Sequence, residues 1–339
     1  MSTPESSTIL QSGSGPSWSG SGPLPSGPAT DAATFGRFQV LGEAGSGAMG
    51  VVYAAYDPKL DRRVALKVLR GEANRGEARE RTRREAVALA QVNHPNVVHV
   101  YEVGEAAKRL FIAMEYVDGP TLKVWQAGDH DQRRRLEVLQ AIAAGLDAAH
   151  ARGLVHRDVK PSNVLIGPSG RPRLIDFGLA RAGAGGELDD GSVLGSDLTR
   201  TGRLLGTPAY MAPELMDGAA PSALSDQFSF CVTAYEVLFG VRPFPTDSLP
   251  VLRHAIERGL MAAPTSSAAG HEALLAILRR GMAADPAARW PSLGALADAL
   301  GAQRSVQPEG LAPPLYVAVM ALVGFLWVSV IYALLPRRA

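Results

Sequence analysis

The chain has 339 residues, 46% of them hydrophobic and 20% charged, with a formal net charge of +1. That length allows one large domain with short appendages, and the balanced charge removes any bulk electrostatic case for binding nucleic acid. The one cysteine, Cys231, lies in the apolar run 228–232 and reads as a small buried residue, so no disulfide framework or oxidising compartment is implied.

Residues 1–34 are rich in Ser, Gly and Pro and contain no Lys or Arg. They lack periodicity and too little apolar surface is present to offset the entropy of ordering, so a disordered tail is expected. The basic start and apolar run of a signal peptide are missing. Strand character begins at Phe38. Phe38 to Leu41 runs into Gly45-Ser46-Gly47-Ala48-Met49-Gly50, and Val51 to Ala55 follows. A glycine-rich turn between strands lets backbone N–H groups approach phosphate, because no Cβ stands in the way. A dinucleotide fingerprint would need a helix directly after the glycines, whereas the β-branched and aromatic residues here favour a strand. In the next strand, Arg63 to Leu69, alternation puts Val64, Leu66 and Val68 on one face and Ala65 and Lys67 on the other. Residues 75–92 read as a charged helix carrying Glu77, Glu80 and Glu85, with Val87, Leu89 and Val92 as its later apolar positions. Asn93 to Asn96 form a turn in which Pro95 bars continuation of the helix and His94 is a turn residue rather than a ligand.

Strands are expected over Val97–Val103 and Leu110–Val117, and the turn Asp118-Gly119-Pro120 marks a boundary beyond which the chain becomes mainly helical. Leu136, Leu139, Ile142, Ala143 and Leu146 recur at helical spacing through residues 132–152, with Gly153 at the stop position. Next comes His156-Arg157-Asp158-Val159-Lys160-Pro161-Ser162-Asn163, followed by Asp176-Phe177-Gly178. Val164–Ile166 and Leu174–Ile175 read as short strands joined by the turn Gly167–Gly170. Such a hairpin brings Asp158, Lys160 and Asn163 beside Asp176. That set suits metal-bound phosphate: Asp176 and Asn163 offer oxygen ligands for Mg²⁺, Asp158 can accept a hydroxyl proton, and Lys160 can neutralise a moving phosphoryl group.

The order and spacing of these residues resemble the catalytic loop H-R-D-x-x-x-x-N and the D-F-G motif of protein kinases, and Lys160 resembles the serine/threonine branch. The resemblance covers residues 38 to about 300 and, in the wording Gly47-Ala48-Met49-Gly50-Val51-Val52-Tyr53, is similar to the eukaryotic-like kinases of bacteria. It implies a nucleotide side made of Gly45, Ser46, Gly47 and Gly50 over the phosphates, with Val52 over adenine and Ala65 beside the phosphate-binding Lys67. Glu85 would pair with Lys67, although Glu77 and Glu80 share its helix. Met114 would stand behind adenine, and Glu115 to Val117 would offer it backbone hydrogen bonds.

The stretch from Asp176 ends in Gly206-Thr207-Pro208-Ala209-Tyr210-Met211-Ala212-Pro213-Glu214, which resembles the peptide-substrate loop and A-P-E end of the family. Its Gly- and Asp-rich middle precedes Thr199 and Thr201, the candidates for activating phosphorylation, with Ser192 and Ser196 as weaker ones. Arg157 is the expected cationic partner of the added phosphate. On the same resemblance, Ser225 to Phe239 is the central buried helix, with Phe228 where the family usually has Trp. Asp226 would cap backbone N–H groups of the catalytic loop, and Arg289 would pair with Glu214.

Leu315 to Leu335 are 21 residues without a charge. As a helix they would extend about 31 Å, against a bilayer core of about 30 Å. A membrane span is expected, with no sensor domain in the four residues beyond it. Arg337 and Arg338 would then face outward, against the positive-inside tendency, but the need for cytosolic ATP and Mg²⁺ outweighs two arginines.

The expectation is an α+β, two-lobed protein kinase fold over residues 38–300. A small, mainly antiparallel β N-lobe (38–117) with one key helix precedes a larger helical C-lobe (121–300). A juxtamembrane linker (301–314), a C-terminal transmembrane helix (315–335) and a short tail (336–339) follow. The implied activity is transfer of the ATP γ-phosphoryl group to Ser/Thr hydroxyls of proteins, with ATP and Mg²⁺ as cofactors. The implied setting is the bacterial cytoplasmic membrane, the kinase domain cytoplasmic, with a homodimer as a compatible arrangement for trans-autophosphorylation. A pseudokinase scaffold at the membrane is the alternative, and it predicts loss of Lys67, Asp158 or Asp176, all of which are present. A small-molecule phosphotransferase would lack the segment ending at Glu214.

Overall fold

The structure, a computed structural model, describes residues 34–47, 50–70, 74–177, 207–264 and 271–303. The N-terminal half supplies β1 (Thr34–Phe35), β2 (Phe38–Gly47), β3 (Gly50–Asp57), β4 (Arg62–Leu69), α1 (Gly76–Ala90), β5 (Val100–Ala106) and β6 (Arg109–Glu115). The strands form one antiparallel sheet in the order β1-β2-β3-β4-β6-β5. Alternation along β4 divides two apolar layers, as expected. Val64, Leu66 and Val68 pack with Phe38, Ala55, Phe111 and Ala113 on the outer face. Ala65 faces the main core with Val52, Ile112 and Met114. Helix α1 lies over that inner face through Thr82, Ala86 and Leu89, positions four and three apart. Val87 falls off this stripe and is 43% exposed, so of the apolar positions expected there only Leu89 and Val92 enter the core.

The expected strand at Leu174–Ile175 is Pro172–Leu174 and the one expected to reach Val117 ends at Glu115, and two further boundaries differ for identifiable reasons. The turn at the glycines is narrower, because β2 runs through Gly47 with register shifts between Val40 and Gly42 and between Glu43 and Gly45. Gly50 opens β3 so close to β4 that a Cβ there would stand 2.1 Å from the Val68 carbonyl oxygen. The expected strand at Val97 starts only at Val100. Residues 96–98 instead bond to a distant strand: Leu174 N–H donates to Asn96 O at 2.8 Å, Val98 N–H to Leu174 O at 2.9 Å, and the Asn96 amide to Pro172 O at 3.0 Å. His94 is a turn residue, its Nδ1 accepting the Asn96 N–H at 3.2 Å. Burial, with a smaller contribution from the Arg173 charge, holds its pKa below the usual imidazole value.

The C-terminal half is helical around one short hairpin. It contains α2 (Leu122–Trp125), α3 (Gln132–His150), β7 (Val164–Ile166), β8 (Pro172–Leu174), α4 (Pro213–Met216), α5 (Ala223–Phe239), α6 (Leu249–Glu257), α7 (His271–Gly281) and α8 (Leu293–Ala302). Helix α3 starts where the Asp131 carboxylate accepts the Arg134 N–H at 2.7 Å, and ends before Gly153 at φ 71°. It buries the predicted stripe of Leu136, Leu139, Ile142, Ala143 and Leu146. Helix α5 is buried over nearly its whole circumference and begins with a reciprocal Ser222–Ser225 capping box. Cys231 is fully enclosed there, and burial pushes its thiol pKa up, which suits the packing role expected of it. Thr199, Thr201 and the apolar run 315–335 lie outside the described residues. Among the described residues no helix is long and apolar enough to cross a membrane.

Candidate active site

Hairpin β7–β8 holds the site from below. Pairing of Val164 with Leu174 and of Ile166 with Pro172 sets residues 156–163 beside residues 175–177. Two bonds then stitch the loops: Ile175 N–H donates to Asn163 O, and His156 Nε2–H to Ile175 O, each at 3.0 Å. Since a carbonyl only accepts, Nε2 carries the proton and Nδ1 faces the Asp158 N–H at 3.4 Å. Burial lowers the His156 pKa and keeps this ring neutral. It also packs on Phe177, with ring centroids 4.6 Å apart.

Within this frame the polar groups converge. Asn163 donates its amide to Asp158 O at 2.8 Å and to Asp158 Oδ2 at 2.9 Å. Lys160 Nζ lies 2.7 Å from the same Oδ2. The Asn163 amide hydrogens thus orient the Asp158 carboxylate, and its carbonyl oxygen remains the group suited to a cation. Across the cleft, Lys67 Nζ reaches Asp176 Oδ1 at 2.8 Å, with the two side chains only 7% and 18% exposed. Lys67 leaves β4 opposite Ile112, and Ala65, two residues earlier, pairs with Met114. Val52, Ala65, Met114 and Val117 form the adjoining buried apolar wall. The backbone of Gly45, Ser46, Gly47 and Gly50 belongs to the β2–β3 hairpin that closes this side.

Arg157 and Asp176 both adopt left-handed backbone conformations, at φ 67° and 57°. A non-glycine residue is strained there and needs surrounding bonds to hold it. Asp226, 1% exposed near the start of α5, supplies them for the loop. Its Oδ1 accepts the Arg157 N–H at 2.8 Å, and its Oδ2 accepts the His156 N–H at 2.6 Å. Deeper in the helical half, Arg289 meets Glu214 with two bonds of 2.7 Å, its side chain fully enclosed. Both contacts agree with expectation.

The Lys67–Glu85 pair expected from the resemblance is not formed. Glu85 Oε1 instead accepts from Arg157 Nη1 at 2.8 Å, while Lys67 takes Asp176. The left-handed turn at Asp176 aims its carboxylate at the buried ammonium, and a charge out of water must find an opposite charge close by. Glu85 is nevertheless the glutamate of α1 that faces the cleft, since Glu77 and Glu80 are exposed. Arg157, expected to read a phosphate, is thereby already engaged by a carboxylate.

Two participants escaped the sequence reading. His150, at the last position of α3, brings Nε2 to 2.8 Å from Asp226 Oδ2 and adds a third bond to the loop anchor. A histidine ending a helix has an ordinary reading as a C-terminal cation, so nothing in its position pointed to α5. Arg173, the middle residue of β8, bonds Glu115 and Pro95 across the chain, and a polar residue in a three-residue strand carries no such signal.

The arrangement fits Mg²⁺ and nucleotide phosphate. Among the described residues no cluster of three or more His, Cys, Asp or Glu could cage a metal. One carboxylate and one amide oxygen are the donor set of a cation that completes its shell with water and substrate phosphate, which is how Mg²⁺ is usually held.

A two-layered sheet over a helical half, with lysine, two aspartates and asparagine in the cleft between them, defines a protein kinase domain. The protein kinase domain family matches residues 38–295, and the chain belongs to it. Its relatives include the serine/threonine-protein kinase pkn2 of Myxococcus xanthus, 40% identical over 83% of this chain and 34% of that protein. PknA of Mycobacterium tuberculosis is 36% identical over 82% of this chain and 65% of its own length. Both relatives therefore extend well beyond the region they share with it. Among solved structures, the PknI kinase domain of Mycobacterium tuberculosis aligns with a TM-score of 0.60 at 30% identity, over 81% of this chain and all of that one.

Proposed function

We propose that this chain is a membrane-tethered, ATP-dependent serine/threonine protein kinase that transfers the γ-phosphoryl group to protein hydroxyls and phosphorylates its own activation segment. The observation that carries the reading is the meeting of Lys67 and Asp176 at 2.8 Å across the cleft, beside an Asp158 carboxylate held by Asn163 and Lys160. Lys67 holds the α- and β-phosphates. Asp176 and Asn163 would hold Mg²⁺, which when bound neutralises phosphate charge and aligns the nucleotide. Asp158 orients the acceptor hydroxyl and takes its proton, and Lys160 steadies the group in transfer. A phosphate on Thr199 or Thr201 competes with Glu85 for Arg157 and so frees Glu85 for Lys67.

Incubating the full chain with labelled ATP and Mg²⁺, with Asp176→Asn as control, tests the activity. Label on the chain or on a generic protein acceptor, absent from the variant, is the expected result. No transfer from either protein returns the chain to the scaffold reading. The tether rests on the charge-free run 315–335, and protease or tag accessibility of the C-terminus from the cytosolic side would overturn its orientation.

A further inference from the structure

Three separate pieces of chain meet at Arg173. Its Nε donates to both oxygens of Glu115, at 3.1 and 3.2 Å, and its Nη1 donates to Pro95 O. Glu115 is the last residue of β6, and its own N–H donates to His99 O at 2.8 Å. The His99 N–H returns to Glu115 Oε2 at 3.4 Å. One guanidinium thus ties the end of β6, the 95–99 segment and β8 together where the sheet hands over to the helical half. The pair is mostly shielded, with side chains 19% and 26% exposed, so solvent screens it less than an ordinary surface ion pair.

Its position along the chain gives this brace a consequence. Arg173 precedes Asp176 by three residues, and Glu115 begins the backbone stretch that runs to Val117. On the kinase reading above, that stretch carries adenine and Asp176 carries the metal. We propose that Arg173 is a positioning residue that fixes the end of β6, where adenine would be held, relative to β8 and the metal-bearing residue just after it, so that base and phosphates are gripped in one register. It touches neither nucleotide nor acceptor. The neighbouring segment 96–98 is already pinned to β8 by three further hydrogen bonds. Loss of Arg173 therefore leaves the two halves joined and releases chiefly the end of β6.

The test uses the full chain and a fluorescent ATP analogue with Mg²⁺. Arg173→Met is expected to weaken nucleotide binding on the order of fivefold, within the range for residues that couple sites without contacting ligand. KM for ATP rises by a similar factor while KM for a protein acceptor stays within twofold. Glu115→Gln, which keeps the shape, moves affinity the same way, and the double variant is no worse than the weaker single one. Arg173→Lys, which keeps the charge but cannot span both partners, falls between. A folded Arg173→Met with wild-type affinity, or effects that multiply in the double variant, overturns the proposal. If Arg173→Met melts early, Glu115→Gln decides the matter alone: unchanged affinity refutes it. Failure of the wild type to bind nucleotide overturns the kinase reading and this inference with it.

Discussion

Asp226→Asn isolates what a single buried carboxylate does for the catalytic loop. The aspartate accepts three hydrogen bonds: from Arg157 N–H on Oδ1, and from His156 N–H and His150 Nε2 on Oδ2. Asparagine keeps the shape and one acceptor oxygen. Placed at the Oδ2 position, that oxygen retains two of the three bonds, and the amide NH₂ then confronts the Arg157 N–H donor to donor. A lost hydrogen bond to a charged group, with a buried donor left unpaired, costs about 2–3 kcal/mol. The cost falls on a residue already at φ 67°, a left-handed conformation that needs surrounding bonds to hold it. Urea unfolding should therefore show a stability loss of about 2–3 kcal/mol. Hydrogen exchange should report an Arg157 amide that opens far more readily while the His156 amide stays protected. Phosphotransfer should fall as the loop carrying Asp158 loosens. A loss below about 0.5 kcal/mol, or an Arg157 amide as protected as before, would refute the anchoring argument.

Other perturbations reach separate parts of the frame. Arg289 spends its guanidinium on Glu214, Leu224 O and Ala283 O inside the helical half, so Arg289→Ala should cost about 3–5 kcal/mol and Arg289→Lys should recover less than half; a wild-type thermal melt for the alanine variant would contradict this. His156 has a depressed pKa in the folded chain, so the unfolded chain binds the proton first as pH falls through about 6.5, and stability drops by up to about 1.4 kcal/mol per pH unit towards pH 5. His94 acts in the same direction, so the comparison belongs in a His94→Gln background, where adding His156→Gln should flatten the slope; an unaltered slope would remove His156 as its source. A Thr199→Ala, Thr201→Ala double variant should show lower turnover than wild type after preincubation with ATP, and equal turnover would remove both residues as activating sites.

Much of this protein could be read from local pattern. Alternation in Val64 to Val68 separated the two faces of β4 before any partner strand was known, because side chains on a strand point to opposite sides whatever they meet. The hairpin at 164–174 followed from a turn cluster between apolar triplets, and its pairing sets residues 156–163 beside residues 175–177. Val97 was misjudged for the opposite reason. Its β-branched neighbours make good strand residues anywhere, and the backbone groups at 96 and 98 were claimed by Leu174, some 76 residues further on.

Charge partnering is where sequence stopped. Lys67, Glu85, Arg157 and Asp176 were each identified by motif and order. Two cations facing two carboxylates can nevertheless pair in two ways, and nothing in residue order prefers Lys67–Asp176 with Arg157–Glu85 over the alternative. That choice depends on separations of a few ångströms between elements and on the left-handed turns at Arg157 and Asp176, which only the folded chain sets. The same holds for His150 on Asp226 and Arg173 on Glu115. The chemistry of phosphate transfer was written into residue types and spacings, since they determine what each group can donate, accept or ligate. Which of those groups hold one another was decided by tertiary structure, because Coulomb and hydrogen-bond energies depend on distance and solvent exposure, and a sequence specifies neither by itself.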